Sequence, residues 1–307
     1  MNWQVYNSEG YSDDVVIADF ISCQGDHREH MEDGFVISNQ KIVNSDITCY
    51  VIALMDGHGG KQVMNYMIHY FPVHIYESFQ GITFQDLSSH EAANRITKAC
   101  LSLNEELRLV PEVVRKHVGS TLSALLVFRL TKGNNIKSCV VNVGDSMIAS
   151  SLHVKDHPWN ARCKKCLQYL ELVTEAHDLD NKSEMERFKK QKILKKYQKY
   201  IVDKNGTGVN MTRAFGDFNL GEFILPKPSI TFLNQKVCFV TLGSDGIWDE
   251  VTPEEIRIWL QKGACKNTKS TETTHCLMNE RAMKIQHDNF TLGVVFLNHQ
   301  YKWTSWK

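Results

Sequence analysis

Five short acidic segments recur in order along the chain: Arg28-Glu29-His30-Met31-Glu32-Asp33, Met55-Asp56-Gly57-His58-Gly59-Gly60, Val143-Gly144-Asp145-Ser146, Ser244-Asp245-Gly246-Ile247-Trp248-Asp249 and Asp288-Asn289. Most of them follow an apolar run and contain a turn-forming Gly or Asn, which is where a strand ends and a side chain can face a cleft. Taken singly, each is ordinary loop punctuation. As an ordered set they bring carboxylates together, and such groups repel one another unless divalent cations sit between them. Asp56 is suited to bridging two ions, with Glu32, Asp245, Asp288 and the Gly57 carbonyl completing the shell. These donors are all oxygen, which favours Mg²⁺ or Mn²⁺ over Zn²⁺. Two such ions, typically about 3.5–4 Å apart, activate water for in-line attack on phosphorus. Arg28 offers a bidentate fork for phosphate oxygens. His58, beside the bridging acid, is suited to protonating a leaving alkoxide.

The elements that must position these residues are legible in part. Residues 15–22, 34–38, 121–130, 136–143, 147–153, 168–173, 237–243 and 290–297 read as strands, and the apolar run 47–55 as a strand buried on both faces and broken by Asp56-Gly57. A helix is expected from about Lys61. A second follows Ile96, Ala99, Leu103, Leu107 and Val110 until Pro111 ends it. Residues 253–261 read as a helix with Pro in its first turn, and the Lys-rich stretch 181–199 and residues 271–284 as further helices. The order is mixed, with hairpin-like strand pairs, a pair of helices, more hairpins, then helix and strand, so antiparallel sheets with helices packed outside fit better than a doubly wound parallel sheet. The acids run from one end of the chain to the other and serve one site, so a single domain is expected.

Composition excludes several classes. Lys plus Arg balances Asp plus Glu at 35 each in 307 residues, so no overall basic face calls for nucleic acid. No apolar run reaches transmembrane length, and from the polar Met1–Val5 segment neither a secretory nor a myristoylation signal is expected. The nine cysteines are an odd number, with several in apolar strands, which suits free thiols in a reducing compartment, cytoplasmic or nuclear. Cys163 and Cys166, with His153 and His157 upstream, form one Cys pair without a well-spaced second and are expected to be free of zinc.

The ordered segments resemble the metal-dependent protein phosphatases of the PP2C (PPM) family. Besides the five acidic segments, Gly119-Ser120-Thr121 and Thr212-Arg213-Ala214-Phe215-Gly216-Asp217 match, and the matches are collinear over about residues 15–297. The resemblance implies an α+β fold, a four-layer α-β-β-α sandwich of two antiparallel β-sheets flanked by helices. It implies removal of phosphate from phosphoserine or phosphothreonine of phosphoproteins by direct attack of water on a binuclear Mn²⁺ or Mg²⁺ centre. Asp56 would bridge the ions, Asp245 and Asp288 would hold one, and Glu32 and the Gly57 carbonyl the other. Asp33 would orient the attacking water. Asp145, with Asp245, would hold a weaker third ion near Thr121. A monomer is expected, with no membrane span and no nucleic-acid partner.

Met147 stands where relatives usually have Arg, and of an Asp-His-Lys segment only His177 is kept. The flap beside the active site, about residues 182–208, is divergent and Lys-rich, so substrate choice does not transfer from relatives. Its lysines read as a solvated face covering the core with their stems. The competing function is a catalytically inactive PP2C-like scaffold, which would be expected to have lost a metal carboxylate; a nuclease would need a basic, aromatic-lined groove.

Overall fold

A computed structural model of the protein describes residues 4–152, 169–191, 195–197, 200–202, 206, 208–233, 237–265, 288–297, 302, 303 and 306. Two antiparallel sheets dominate. The first has the order β1 (Gln4–Ser12), β2 (Val16–Gln24), β16 (Phe290–Leu297), β15 (Val237–Gly243), β8 (Met147–Leu152) and β9 (Glu171–Leu172). The second runs β13 (Phe215–Gly216), β5 (Gly119–Ser120), β4 (Ile47–His58), β6 (Leu122–Leu130), β7 (Asn135–Val143) and β14 (Ser229–Leu233). On it β3 (Asp33–Lys41) pairs with β4, and β17 (Lys302–Trp303) pairs in parallel with β7. A small third sheet holds β10 (Lys195–Tyr197), β11 (Tyr200–Val202) and β12 (Gly208–Val209).

The alternation of β4 explains the layering. Tyr50, Ile52 and Leu54 face the other sheet and pack with Ala18, Phe20, Leu125, Val140, Val240 and Val295. Cys49, Val51, Ala53 and Met55 face the opposite way, onto α1 (Gln62–Ser78) and α2 (Ser89–Leu107). A strand with both faces covered needs an unbroken apolar run, which is what residues 47–55 supply. On the far side, α5 (Asp245–Trp248) and α6 (Pro253–Cys265) cover the first sheet through Ile247, Ile256, Trp259 and Leu260. Phe20 and Phe35 stack across the central layer with ring centres 4.7 Å apart, a contact beyond simple area burial. The expected α-β-β-α order is therefore the one observed.

Several boundaries differ from expectation. The strand β4 does not break at Asp56 but runs on to His58, because Gly57 and His58 pair with Ser120 and Gly119. Pro111 does not end α2, which stops at Leu107; it opens a short helix, α3 (Pro111–Lys116). The Lys-rich stretch is helical only over α4 (Lys182–Gln191) and then turns into the β10–β11 hairpin. Ile201 is drawn into a small apolar cluster with Leu179, Met211, Ala214 and Leu220, and this tertiary burial outweighs local helix preference. Strand β9 covers only two residues, and β1 and β14 carried too little apolar alternation to be read. The expected helix 271–284, Cys163, Cys166, His153 and His157 lie outside the described residues. Cys23, Cys49, Cys100 and Cys139 are free and buried. Among the described residues no helix is long and apolar enough to cross a membrane.

Candidate active site

The acids gather where the inner faces of the sandwich run out. Asp56 continues the inward row Tyr50, Ile52, Leu54, and Asp33 continues the row of Phe35; the two are direct cross-strand neighbours in the β3–β4 register. Side chains so paired have Cβ atoms about 5 Å apart. Asp245 follows the C-terminal end of β15, and Asp288 precedes the N-terminal end of β16. Because those strands are antiparallel, both acids emerge at the same end of the sandwich.

Short local devices hold each acid. The Asp56 N–H donates to the Thr121 hydroxyl at 3.1 Å, and that hydroxyl contacts Ser146 Oγ at 2.8 Å. The Gly57 N–H donates to the Glu32 carbonyl at 3.1 Å, and a Cβ on Gly57 would lie 2.7 Å from that same oxygen. Only glycine allows this approach. Asn289 ties the 288 segment to the 25–32 loop: its Nδ2 donates to the His30 carbonyl at 2.9 Å and its Oδ1 accepts from Gly25 at 3.4 Å. Trp248 locks α5 over the strand ends, donating from Nε1 to the carbonyls of Gly243 (2.9 Å) and Met147 (3.0 Å).

One cleft of about 410 Å³ is lined by Arg28, Glu32, Asp56, Gly57, His58, Asp245 and Asp288, with Tyr200 and Gly208–Met211 on the flap side. All seven cleft-facing residues singled out from sequence thus share it. Asp33 and Asp145 are buried beneath it, 4% and 8% exposed. Their electrostatics record the crowding. Burial, followed by the charge of Asp245, pushes both Asp33 and Asp145 up to about 7, with the Ser244 and Thr291 hydroxyls opposing the rise at Asp33. Burial and then Asp245, Asp33 and Asp145 hold the Asp56 carboxyl well above the usual carboxylate range. Asp245 is raised by burial and by Asp288 and Asp249.

Two pairings were not legible in the sequence. Arg28 donates from Nη2 to Asp288 Oδ2 at 2.5 Å, so the expected phosphate ligand and an expected metal ligand hold each other. His58 Nε2 contacts Asp217 Oδ2 at 2.7 Å; burial lowers the imidazole pKa, but Asp217 outweighs it and the net shift is upward. Asp217 stands at the end of the Thr212–Asp217 segment, whose position in the ordered set was the one available signal. Farther out, Glu184 of α4 joins Thr212, Arg187 and Arg213 in a buried network, and His177 supports the Gly144 turn through its Nδ1 (3.1 Å).

The donor set suits a hard divalent ion. Asp33 Oδ2 and Asp145 Oδ1 are buried without a hydrogen-bond partner, and such oxygens are costly unless something positive satisfies them. Among the described residues, however, no three His, Cys, Asp or Glu side chains are gathered closely enough to hold an ion as they stand. The fit therefore rests on the oxygen chemistry and the two unsatisfied carboxylate atoms.

A family model described as "Protein phosphatase 2C" matches residues 18–290. "Probable protein phosphatase 2C 73" of rice (Oryza sativa subsp. japonica) is 28% identical over 79% of this chain and 62% of its own length. "Probable protein phosphatase 2C 72" of Arabidopsis thaliana is 24% identical over 80% of this chain and 76% of its own. "Protein spalten" of Dictyostelium discoideum is 28% identical, over 91% of this chain but 27% of its own length. The chain thus spans under two thirds of the rice relative and about a quarter of spalten. Among solved structures, "serine-threonine phosphatase 2C from Toxoplasma gondii" superposes with a TM-score of 0.70 at 16% identity, over 96% of this chain and 99% of that one. A Caenorhabditis elegans "sex determining protein" superposes with a TM-score of 0.71 at 18% identity, over 93% of this chain and 65% of that one. At such identities these superpositions speak to the fold.

Proposed function

Since the chain belongs to the protein phosphatase 2C family, we propose that it is an active, metal-dependent protein serine/threonine phosphatase. The observation that carries this reading is the pair of buried, unsatisfied carboxylate oxygens on Asp33 and Asp145, set beneath a cleft walled by Glu32, Asp56, Asp245 and Asp288. A scaffold with no use for cations has no reason to bury carboxyl oxygens that lack partners. Asp56 would serve both ions, Asp245 and Asp288 would hold one Mn²⁺ or Mg²⁺, Glu32 and the Gly57 carbonyl the other, and Asp145 with Asp245 a weaker third. Bound ions supply positive charge that makes water more acidic and stabilises the phosphoryl oxygens. Asp33 orients the attacking water. Arg28 turns from Asp288 to the phosphate of a phosphoserine or phosphothreonine, and His58 hands a proton to the departing oxygen.

The test is hydrolysis of p-nitrophenyl phosphate with and without Mn²⁺, beside Asp56→Asn. Wild type is expected to depend on the ion, and the variant to lose about 100-fold or more, in line with the removal of a bridging ligand. Equal rates from wild type and variant would reject the reading.

A second reading, an inactive scaffold on the same fold, draws support from the Arg28–Asp288 ion pair, which occupies both groups. Mn²⁺ titration by calorimetry separates the two: heat of binding that Asp56→Asn abolishes belongs to the enzyme, and its absence to the scaffold.

A further inference from the structure

The flap side of the cleft is largely apolar, unlike the rest of its lining. Ile201 of β11 is 2% exposed in the cluster it shares with Leu179, Met211 and Leu220. Successive side chains of a strand point to opposite faces, so the preceding Tyr200 stays out of that cluster and is 40% exposed where it lines the cleft. Val209 of β12, directly across from Ile201, is half-buried against the same cluster and lines the cleft as well. This wall is held from behind. A Cβ on Gly208 would lie 2.5 Å from the Ile201 carbonyl oxygen, so glycine lets β12 close on β11. Next to Met211, the Thr212 hydroxyl donates to Oε2 of the buried Glu184 at 2.8 Å, and the Thr212 carbonyl accepts from Arg187 Nη2 at 2.9 Å. A surface fixed in advance loses little freedom when a ligand arrives. The remainder of the cleft carries Arg28, Asp56, Asp217, Asp245, Asp249 and Asp288, so aromatic and aliphatic surface stands beside ionic groups.

We infer that Tyr200 and Val209 form a subsite that selects phosphopeptides carrying an apolar residue close to the phosphorylated one. This names a substrate class for the phosphatase reading and rests on it. A phosphoresidue that reaches the carboxylates brings its sequence neighbours, about 3.3 Å apart along an extended chain, against the walls of the cleft. A leucine, methionine or phenylalanine laid on the Tyr200 ring and the Val209 methyls removes apolar surface of both partners from water, which drives association. Glycine offers no such surface, and an acidic neighbour meets Asp217 and Asp249 in the same cleft, a juxtaposition of like charges. A basic neighbour would be drawn to those carboxylates instead, and its selection would not depend on Val209.

The test uses the full chain with Mn²⁺ and four phosphothreonine peptides that are identical except beside the phosphoresidue. The two positions on either side of it hold leucine, glycine, aspartate or arginine. Wild type is expected to show a kcat/KM about 10-fold higher for the leucine peptide than for the glycine peptide. The difference is expected in KM, because a contact away from the reacting atoms is made alike in the ground and transition states. In Tyr200→Ala the leucine-to-glycine ratio is expected to fall to about twofold, and in Tyr200→Phe to stay near 10-fold, since the ring supplies the surface. Each enzyme serves as its own reference, so a general loss of activity does not imitate the effect. Should Tyr200→Ala disturb the hairpin and abolish turnover, Val209→Thr keeps the shape of the wall while making it more polar, and is expected to lower the ratio about threefold. A wild type that is active but indifferent to the flanks, or that favours the aspartate or arginine peptide over the leucine one, would overturn this inference alone. So would a leucine preference that Tyr200→Ala and Val209→Thr leave unmoved. A wild type that hydrolyses none of the four peptides would overturn the protein phosphatase reading together with it.

Discussion

His177 sits 3% exposed, its Nδ1 accepting the Gly144 N–H at 3.1 Å and its Nε2 donating to Ser229 Oγ at 2.8 Å. The first bond needs the neutral ring, because a protonated Nδ1 cannot accept. Burial, aided by the charge of Arg213, pushes its pKa down to about 4 from 6.5. The sign follows directly. Between those values the unfolded chain binds a proton that the folded chain refuses, so stability is lost as pH falls through the window, by about 3 kcal/mol at most. Thermal melts from pH 7 to pH 4.5 are expected to fall more steeply for wild type than for His177→Gln, which starts lower but responds less. A flat wild-type profile would show that the ring is charged in the fold. The sequence offered only that a histidine stands here; its neutrality and its grip on the Gly144 turn come from residues 229 and 213, which no local pattern links to it.

At the scale of elements, α5 and the start of β16 show how tightly the ligand-bearing segments are fitted. A Cβ on Gly246 would lie 2.2 Å from the Asn289 carbonyl oxygen, so this glycine is required by close approach rather than by φ. Gly246→Ala must push the turn bearing Asp245 away from the segment bearing Asp288. It is expected to cost about 1–3 kcal/mol of stability and, by spreading two carboxylates that should share an ion, to weaken Mn²⁺ binding by about 10-fold or more in calorimetry. Unchanged affinity would show that the two acids are positioned independently. The Asp-Gly and Asp-Asn dipeptides were visible as turns, and the elements β2, β3, β6, β7, β15 and β16 were readable from apolar runs. The hairpin that replaces the second half of the Lys-rich helix was not, because lysine favours helices in isolation while Ile201 is claimed by a cluster assembled from Leu179, Met211 and Leu220.

For the whole molecule, the candidate site is a concentration of carboxyl groups at one end of the sandwich, and that placement trades stability for binding capacity. Asp33 and Asp145 have folded pKa values of about 7 against an ordinary 3.8. A carboxyl raised in this way contributes its full stability below about pH 4 and loses it as pH rises through about 7. At neutral pH and without divalent ions, the cluster therefore works against the fold. Asp145→Asn is expected to stabilise the protein in chelator by about 1–3 kcal/mol, and Mn²⁺ to raise the melting temperature of wild type more than that of the variant. A variant less stable than wild type in chelator would place Asp145 in a satisfied hydrogen-bond network instead.

By itself the sequence determined which residue types could meet. The order of acidic turns, their apolar leads and their resemblance to one family pointed to an antiparallel sandwich with helices outside and named the cleft residues from Arg28 to Asp288. Those features are local, encoded within a few residues of each acid, and they survive in one dimension. Only the tertiary structure decided depth and partnership: that Asp33 and Asp145 lie beneath the cleft rather than in it, that Arg28 closes on Asp288 across 260 positions, and that His58 answers to Asp217. Burial and pairing depend on what folds back from elsewhere in the chain, and that information belongs to the packed sheets rather than to any stretch of residues.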